Sequence, residues 1–231
     1  MMKKRIVTLW AGVVFLCCLK PVSAQENLIW DYKEGKRDIL DVSLAHYNRG
    51  LYLETKEMKE AALEEYEQAL LVTPDFPEAR NNMGAVLYDL RRFEDAIVAF
   101  RQAIKLRDDF AAAHYNLASA YFALSRFTDA AREYKKVIRL APDITNAHYF
   151  LAQSYNQIGE FSQAVRVLET VIERQPDNPY AYFSMASNLM ALKRFERALY
   201  YYRRVIEIDP DFPQSGEVNM MISSIEKLGF E

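Results

Sequence analysis

Cysteine is nearly absent from this chain: 231 residues include two cysteines, Cys17 and Cys18, both close to its start. The sequence after residue 18 therefore offers no thiol for a disulfide, a thiolate metal site or a cysteine nucleophile. Glycine is also scarce, and its seven residues form no loop that could cradle a phosphate. These scarcities exclude disulfide-stapled, thiol-dependent and phosphate-loop proteins.

Basic residues do not outnumber acidic ones. The formal net charge is −3, and residues 1–24 contain four basic side chains and no acidic one, so their removal lowers it to −7. A chain this acidic is not expected to bind nucleic acid through a broad phosphate-contacting surface. Catalytic patterns such as HExxH are also missing. We predict that the protein is not an enzyme and holds neither a cofactor nor a metal.

Residues 1–24 have the features of a cleaved signal peptide. Three basic residues (3–5) precede an apolar run over residues 6–19, which is short for a membrane-spanning helix. The small residues 22–24 form a cleavage site before Gln25. We expect an exported, periplasmic protein without a membrane span after cleavage. An uncleaved anchor and secretion are the alternatives.

Residues 25–42, QENLIWDYKEGKRDILDV, lie between this segment and a periodic region. Leu28, Ile29, Trp30 and Tyr32 make its first half apolar. We interpret it as an N-terminal strap that covers the open end of the first repeat. The alternative is a segment that docks on another chain.

A period of 34 residues organises the rest of the chain. Each period has two stretches with apolar residues spaced by three and four, which predicts two amphipathic helices joined by a turn. The same columns recur in every period. They are the alanines Ala62, Ala96, Ala130, Ala164 and Ala198, the large residues Tyr66, Phe100, Tyr134, Leu168 and Tyr202, and the small residues Gly50, Gly84, Ala118, Ala152 and Ala186.

These columns resemble the tetratricopeptide repeat, a 34-residue helix–turn–helix unit. The resemblance covers residues 43–212 as five units: 43–76, 77–110, 111–144, 145–178 and 179–212. It implies an all-α, right-handed α-solenoid, because a single unit cannot bury its apolar face alone. Residues 213–231 are expected to add a capping helix, since residues 213–228 have a polar outer face and Gly229 ends the pattern.

The three histidines, His46, His114 and His148, occupy the same position in their repeats. A metal site needs further ligands and supporting partners. We therefore interpret these side chains as packed residues, with a metal site as the alternative.

In tetratricopeptide proteins the concave groove comes from the first helix of each unit. The equivalent first-helix positions of this sequence predict a partner-binding groove that contains no lysine or arginine. Its residues are Tyr47, Asn48, Asn82, Tyr88, Tyr115, Asn116, Ser119, Phe122, Tyr149, Phe150, Gln153 and Phe183. Amides can pair with a peptide backbone, and rings supply apolar contact area.

The resemblance to exported bacterial members of the family implies a scaffold or adaptor in a cell-envelope assembly. The partner is expected to be an extended protein segment or a helix held in the groove. A homo-oligomeric structural protein and a protein that binds cell-wall fragments are the alternatives. Outer-membrane assembly, pilus assembly, cytochrome maturation and cell-wall machinery are all compatible pathways.

Overall fold

The structure, a computed structural model, describes residues 39–230, with side chains from residue 42 onward. The predicted signal peptide, and the part of the predicted strap that holds Trp30, lie outside these residues. Residues 39–42, which we assigned to the strap, form the first turn of the first helix. Ile39 and Val42 continue the three-residue apolar spacing of that helix, which explains its earlier start.

Within residues 39–230 the chain forms eleven α-helices and no strand. They are α1 (Ile39–Thr55), α2 (Lys59–Val72), α3 (Pro77–Asp89), α4 (Phe93–Leu106), α5 (Ala111–Ala123), α6 (Phe127–Leu140), α7 (Thr145–Gln157), α8 (Phe161–Arg174), α9 (Pro179–Ala191), α10 (Phe195–Ile208) and α11 (Ser215–Lys227).

The chain divides into two compact units, and the division falls inside α5, between Ala120 and Tyr121. In the first unit α1 packs on α2, α2 on α3 and α3 on α4. In the second unit the helices from α6 to α11 each pack on the next helix along the chain. The prediction of an all-α fold of consecutive helix–turn–helix pairs is confirmed. The last helix, α11, begins at Ser215, two residues after Pro213.

The repeated columns are packing positions. The alanine column of the second helices is fully buried in all five repeats, and the large residues four positions later are 0–3% exposed. In the first two repeats a glycine faces the aromatic residue. A Cβ atom on Gly50 would lie 2.6 Å from the Tyr66 ring, and one on Gly84 would lie 2.6 Å from the Phe100 ring. Small residues therefore let the two helices of a repeat approach closely.

The turn inside each repeat has the same backbone conformation. One residue per turn adopts a positive φ, between 57° and 79°: Glu57, Arg91, Ser125, Gly159 and Lys193. The next residue closes the turn. For example, the Arg92 N–H donates to the carbonyl of Leu87 at 2.9 Å. This is a left-handed C-terminal cap, which normally favours glycine. It sets the angle between the two helices of a repeat.

Candidate functional site

The predicted groove residues of the first unit differ widely in exposure. Asn48 is exposed, whereas Tyr47, Asn82, Tyr88 and Ser119 are half-buried. The remaining two residues, Tyr115 and Asn116, are only 1% and 2% exposed. Burial raises the pKa of the Tyr115 hydroxyl, with a smaller contribution from Tyr88. Tyr115 and Asn116 belong to the packed interior of the helix layer, so an extended ligand would not reach them without rearrangement.

Hydrogen bonds between amides link the first helices of neighbouring repeats in this unit. The Asn116 amide donates to Asn81 Oδ1 at 3.0 Å, and the Asn81 amide donates to Asn82 Oδ1 at 3.1 Å. Asn82 in turn donates to the Tyr47 hydroxyl at 3.1 Å. The asparagines that the sequence suggested for a peptide backbone are therefore partly used inside the protein. Sequence reasoning missed Asn81, whose only signal was its place beside Asn82.

An acidic group lies near the same helices. The Tyr66 hydroxyl donates to the Glu54 carboxylate. Burial raises the pKa of Glu54, the bond from Tyr66 opposes this shift, and the nearby Asp89 adds to it. Glu78 receives a hydrogen bond from Arg107 at 2.7 Å. These carboxylates have partners within the chain.

In the second unit the predicted residues Phe122, Tyr149, Phe150, Gln153 and Phe183 are all half-buried. The Phe150 ring contacts two of the other rings: its centroid lies 6.0 Å from that of Phe122 and 5.6 Å from that of Tyr149. The Phe183 ring lies 5.6 Å from Phe212. Ring contacts at these distances stabilise the helix layer and leave part of each ring accessible.

A pocket of about 240 Å³ lies within the second unit. It brings three predicted residues together with six others. Its lining consists of Tyr149, Gln153, Asn156, Tyr180, Phe183, Ser184, Ser187, Asn188 and Gln214. None of these side chains carries a charge at neutral pH, and four of them are amides. The pocket therefore offers aromatic surface beside neutral hydrogen-bonding groups.

Hydrogen bonds hold the polar side of the pocket in place. Gln153 donates to Ser184 Oγ at 2.8 Å, and Asn156 donates to Asn188 Oδ1 at 3.1 Å. Asn188 donates to the Ser184 carbonyl at 2.7 Å. A side-chain amide has two N–H donors and an oxygen with two lone pairs, which is more than these contacts use. The amides are positioned by the protein and retain capacity for a ligand.

The tyrosine on this wall stays neutral over the physiological range. Burial raises the pKa of Tyr149, and hydrogen bonds from Ser184 and Gln153 oppose part of that shift. Its hydroxyl therefore acts as a neutral donor and acceptor, which agrees with the uncharged lining.

Six lining residues were not among the predicted site residues: Asn156, Tyr180, Ser184, Ser187, Asn188 and Gln214. Asn156 on α7 and Tyr180, Ser184 and Ser187 on α9 occupy first-helix positions of the kind carried over from the family, and Asn188 on α9 does not. Gln214 lies between α10 and α11, in a segment that the sequence marked only as the start of a cap. Sequence spacing gave no signal that this glutamine would line the same pocket as Tyr149.

The histidines each contact a protein acceptor. His46 Nδ1 lies 2.7 Å from the Glu65 carboxylate, His114 Nε2 lies 3.0 Å from the Asp108 carbonyl, and His148 Nδ1 lies 3.3 Å from the Ile144 carbonyl. Across residues 39–230, no group of three or more histidine, cysteine, aspartate or glutamate side chains is arranged to hold a metal ion. In the same part of the chain, no helix combines the length and the apolar character needed to cross a membrane.

Models of the tetratricopeptide repeat match four stretches of the chain, residues 60–91, 81–144, 121–187 and 179–212. Together they run without a gap from residue 60 to residue 212. No curated protein sequence matches the chain.

Solved structures with a similar fold include the MamA protein, with a TM-score of 0.70 and 23% identity over 75% of this chain and 95% of that one. MamA from Desulfovibrio magneticus RS-1 has a TM-score of 0.71 and 17% identity, over 76% and 99% of the two chains. YrrB, described as a TPR protein with an unusual peptide-binding site, has a TM-score of 0.71 and 19% identity, over 80% and 92%. At these identities the likeness shows the shared fold.

Proposed function

Because the chain belongs to the tetratricopeptide-repeat family, we propose that it is a non-catalytic interaction scaffold that binds an extended, uncharged segment of a partner protein. The pocket of the second unit carries this proposal. Its lining combines aromatic side chains and amides in one uncharged cleft, which suits a polypeptide with apolar side chains and an unpaired backbone.

The size of the pocket favours a short piece of chain over a whole small molecule. Pockets for drug-sized ligands usually have volumes of ~300–1,000 Å³, and this one has about 240 Å³. It has room for one or two side chains of a longer segment. The remainder of that segment would lie along the neighbouring first helices.

The amides give the segment its orientation. A peptide unit presents one N–H donor and one C=O acceptor, and a single amide side chain can pair with both. Gln153 and Asn156 lie one helical turn apart on α7, so they can contact successive parts of one extended backbone. Tyr149 and Phe183 provide rigid apolar surface at a small cost in conformational entropy. The description of YrrB as a TPR protein with a peptide-binding site supports this type of ligand for the fold.

A displayed library of random peptides, selected on the purified chain, tests the proposal. We expect the selected peptides to carry aromatic or aliphatic residues and no net charge. Tyr149→Ala combined with Gln153→Ala should weaken their binding roughly tenfold, equivalent to ~1.4 kcal/mol. Tyr200→Ala is the matched control, because Tyr200 is 58% exposed on α10 and does not line the pocket. Selection of charged peptides, or equal binding by both variants, would contradict this function.

We also propose that the protein acts in a periplasmic, cell-envelope assembly. This part rests on the leader features of residues 1–24 and on the lack of cysteine after residue 18. Expression in a Gram-negative host followed by N-terminal sequencing of the periplasmic fraction should give Gln25 as the first residue. A chain that stays in the cytoplasm with its original N-terminus would contradict it.

A further inference from the structure

One face of α1 is open at positions that are buried in every later repeat. Ala45 is exposed, whereas the four residues at the same repeat position, Ala79, Ala113, Ala147 and Ala181, are 0% exposed. Tyr52 is 59% exposed, and its four equivalents, Val86, Ala120, Ser154 and Asn188, are 0–2% exposed. Both residues lie on one side of the helix, because they are seven positions apart.

The side chains on this face differ from those of an ordinary contact between repeats. Tyr52 is much larger than the valine, alanine, serine and asparagine that occupy its position elsewhere. Arg49 stands where the later repeats have Met83, Leu117, Leu151 and Met185. A regular preceding helix would clash with Tyr52 and bury the charge of Arg49. The face is therefore suited to an irregular segment that can pass around a bulky ring.

The chain contains such a segment directly before α1. Residues 28–32, Leu-Ile-Trp-Asp-Tyr, are its apolar part, and six residues separate them from the start of the helix. The nine residue-to-residue steps from 30 to 39 span ~30 Å when extended. The distance along α1 from residue 39 to Tyr52 is ~20 Å. The connection is long enough for the segment to run back along the helix.

Charge also favours this occupant. Arg49, which also donates to the Glu65 carboxylate at 3.2 Å, is on the open face, and the Lys56 ammonium group lies 5.4 Å from the centroid of the Tyr52 ring. The apolar segment contains one charged residue, Asp31, between Trp30 and Tyr32. An aspartate there can pair with either cation while the neighbouring rings contact Tyr52 and Ala45.

We propose that residues 28–32 pack against the Ala45–Tyr52 face of α1 in the same chain, with Trp30 on the Tyr52 ring and Asp31 beside Arg49 or Lys56. The segment takes the place that a preceding repeat occupies elsewhere. It closes the N-terminal end of the repeat array and removes an apolar surface that would otherwise attract other chains.

Fluorescence of Trp30 in the processed chain, which begins at Gln25, tests this proposal. Trp10 lies in the predicted signal peptide, so Trp30 is the single tryptophan of that chain. We expect a blue-shifted emission and weak quenching by acrylamide. Adding Tyr52→Ser should shift the emission to the red and increase the quenching constant several-fold. Tyr200→Ser is the matched control, since Tyr200 has nearly the same exposure, 58% against 59%, and lies on α10 of the second unit. It should leave both readings unchanged.

Two further measurements keep the result decisive. Asp31→Lys, which changes the segment alone, should also increase quenching, because it would place a third positive charge beside Arg49 and Lys56. Light scattering on a dilution series should give a monomer with Trp30 protected at every concentration. If a dimer is present and Trp30 loses its protection as the dimer dissociates on dilution, the segment packs on a second copy of the chain, and the proposal is overturned. A Trp30 that is fully quenchable in the unmutated background would overturn it as well.

Discussion

The size of one residue sets how closely the two helices of a repeat approach in the first unit. Gly84 lies against Phe100, whose ring is fully buried. Glycine is unfavourable in a helix, so its presence here has a packing reason rather than a conformational one.

We expect Gly84→Ala to destabilise the protein by about 1 kcal/mol. The added Cβ atom would lie 2.6 Å from the Phe100 ring. Overpacking of this kind costs ~1–3 kcal/mol, and the better helix propensity of alanine returns ~1 kcal/mol. Urea unfolding measures the difference. Gly216→Ala is the control, because nothing lies within 4 Å of its Cβ position in α11, and it should be neutral or stabilising. Equal effects of the two substitutions would contradict this account of the packing.

His148 makes stability depend on pH. Its side chain is 8% exposed. Burial lowers the pKa of His148 below its ordinary value of 6.5; the hydrogen bond to the Ile144 carbonyl opposes this shift, and the nearby Arg174 adds to it. Because the pKa is lower in the folded state, the contribution of this histidine is complete above pH 6.5 and is lost as the pH falls through the folded-state pKa.

We therefore expect His148→Gln to reduce the loss of stability on acidification. Thermal unfolding of the variant and of the unmodified chain from pH ~8 to pH ~5 measures it. As the pH falls across that interval, the free energy of unfolding of the variant should decrease less than that of the unmodified chain. A constant difference would show that this imidazole does not titrate with folding.

At the scale of elements, the turn inside each repeat combines a regular backbone with an irregular sequence. All five turns place a residue at positive φ, and only one of these residues is glycine. A non-glycine residue in this conformation is strained by ~1–2 kcal/mol. The strain is tolerated because the packed helices on both sides determine the path of the chain.

Ser125→Gly and Lys193→Gly should each raise the free energy of unfolding by about 0.5–1 kcal/mol. The relief of strain exceeds the entropy that a glycine adds to the unfolded chain. Gly159→Ala should have the opposite sign, with a loss of about 1 kcal/mol, although its Cβ position meets no atom within 4 Å. Chemical denaturation of the three variants is the measurement. A common sign for all three would rule out backbone strain as the cause.

The same turns show which parts of the fold a sequence can predict. The helices follow from apolar spacing, and starts such as Pro77 and Pro179 follow from the requirements of a first turn. The conformation of the turns does not follow. Glu57, Arg91, Ser125 and Lys193 carry no local signal for a positive φ, which is imposed by packing on both sides. Gly159 is the one turn residue whose type is typical of a positive φ.

The candidate site was predictable to a smaller extent than the fold. The repeat positions identified Tyr149, Gln153 and Phe183, because the side of the helix on which they lie follows from the period. The repeat positions alone do not distinguish accessible rings from buried ones such as Tyr115, because the exposure of a ring depends on its neighbours from other repeats. They also missed Gln214, which reaches the pocket through the fold of a non-repeated segment.

At the scale of the whole molecule, the chain is acidic while the proposed pocket is neutral. The formal net charge is −3, and the acidic and basic side chains that produce it do not line the pocket. Salt weakens attraction between exposed charges because the Debye length falls from ~10 Å at 0.1 M to ~3 Å at 1 M. A contact made through rings and neutral amides has no such attraction to lose.

We therefore expect the affinity for an uncharged selected peptide to change by less than about twofold over that range of salt concentration. Fluorescence anisotropy with the labelled peptide measures it. Gln153→Glu supplies a matched control, because it places a carboxylate in the pocket with little change in shape. A version of the peptide with one lysine should then bind this variant more tightly at low salt than at high salt. A steep loss of affinity for the neutral peptide in the unmodified protein would move the binding surface away from the pocket and onto the charged exterior.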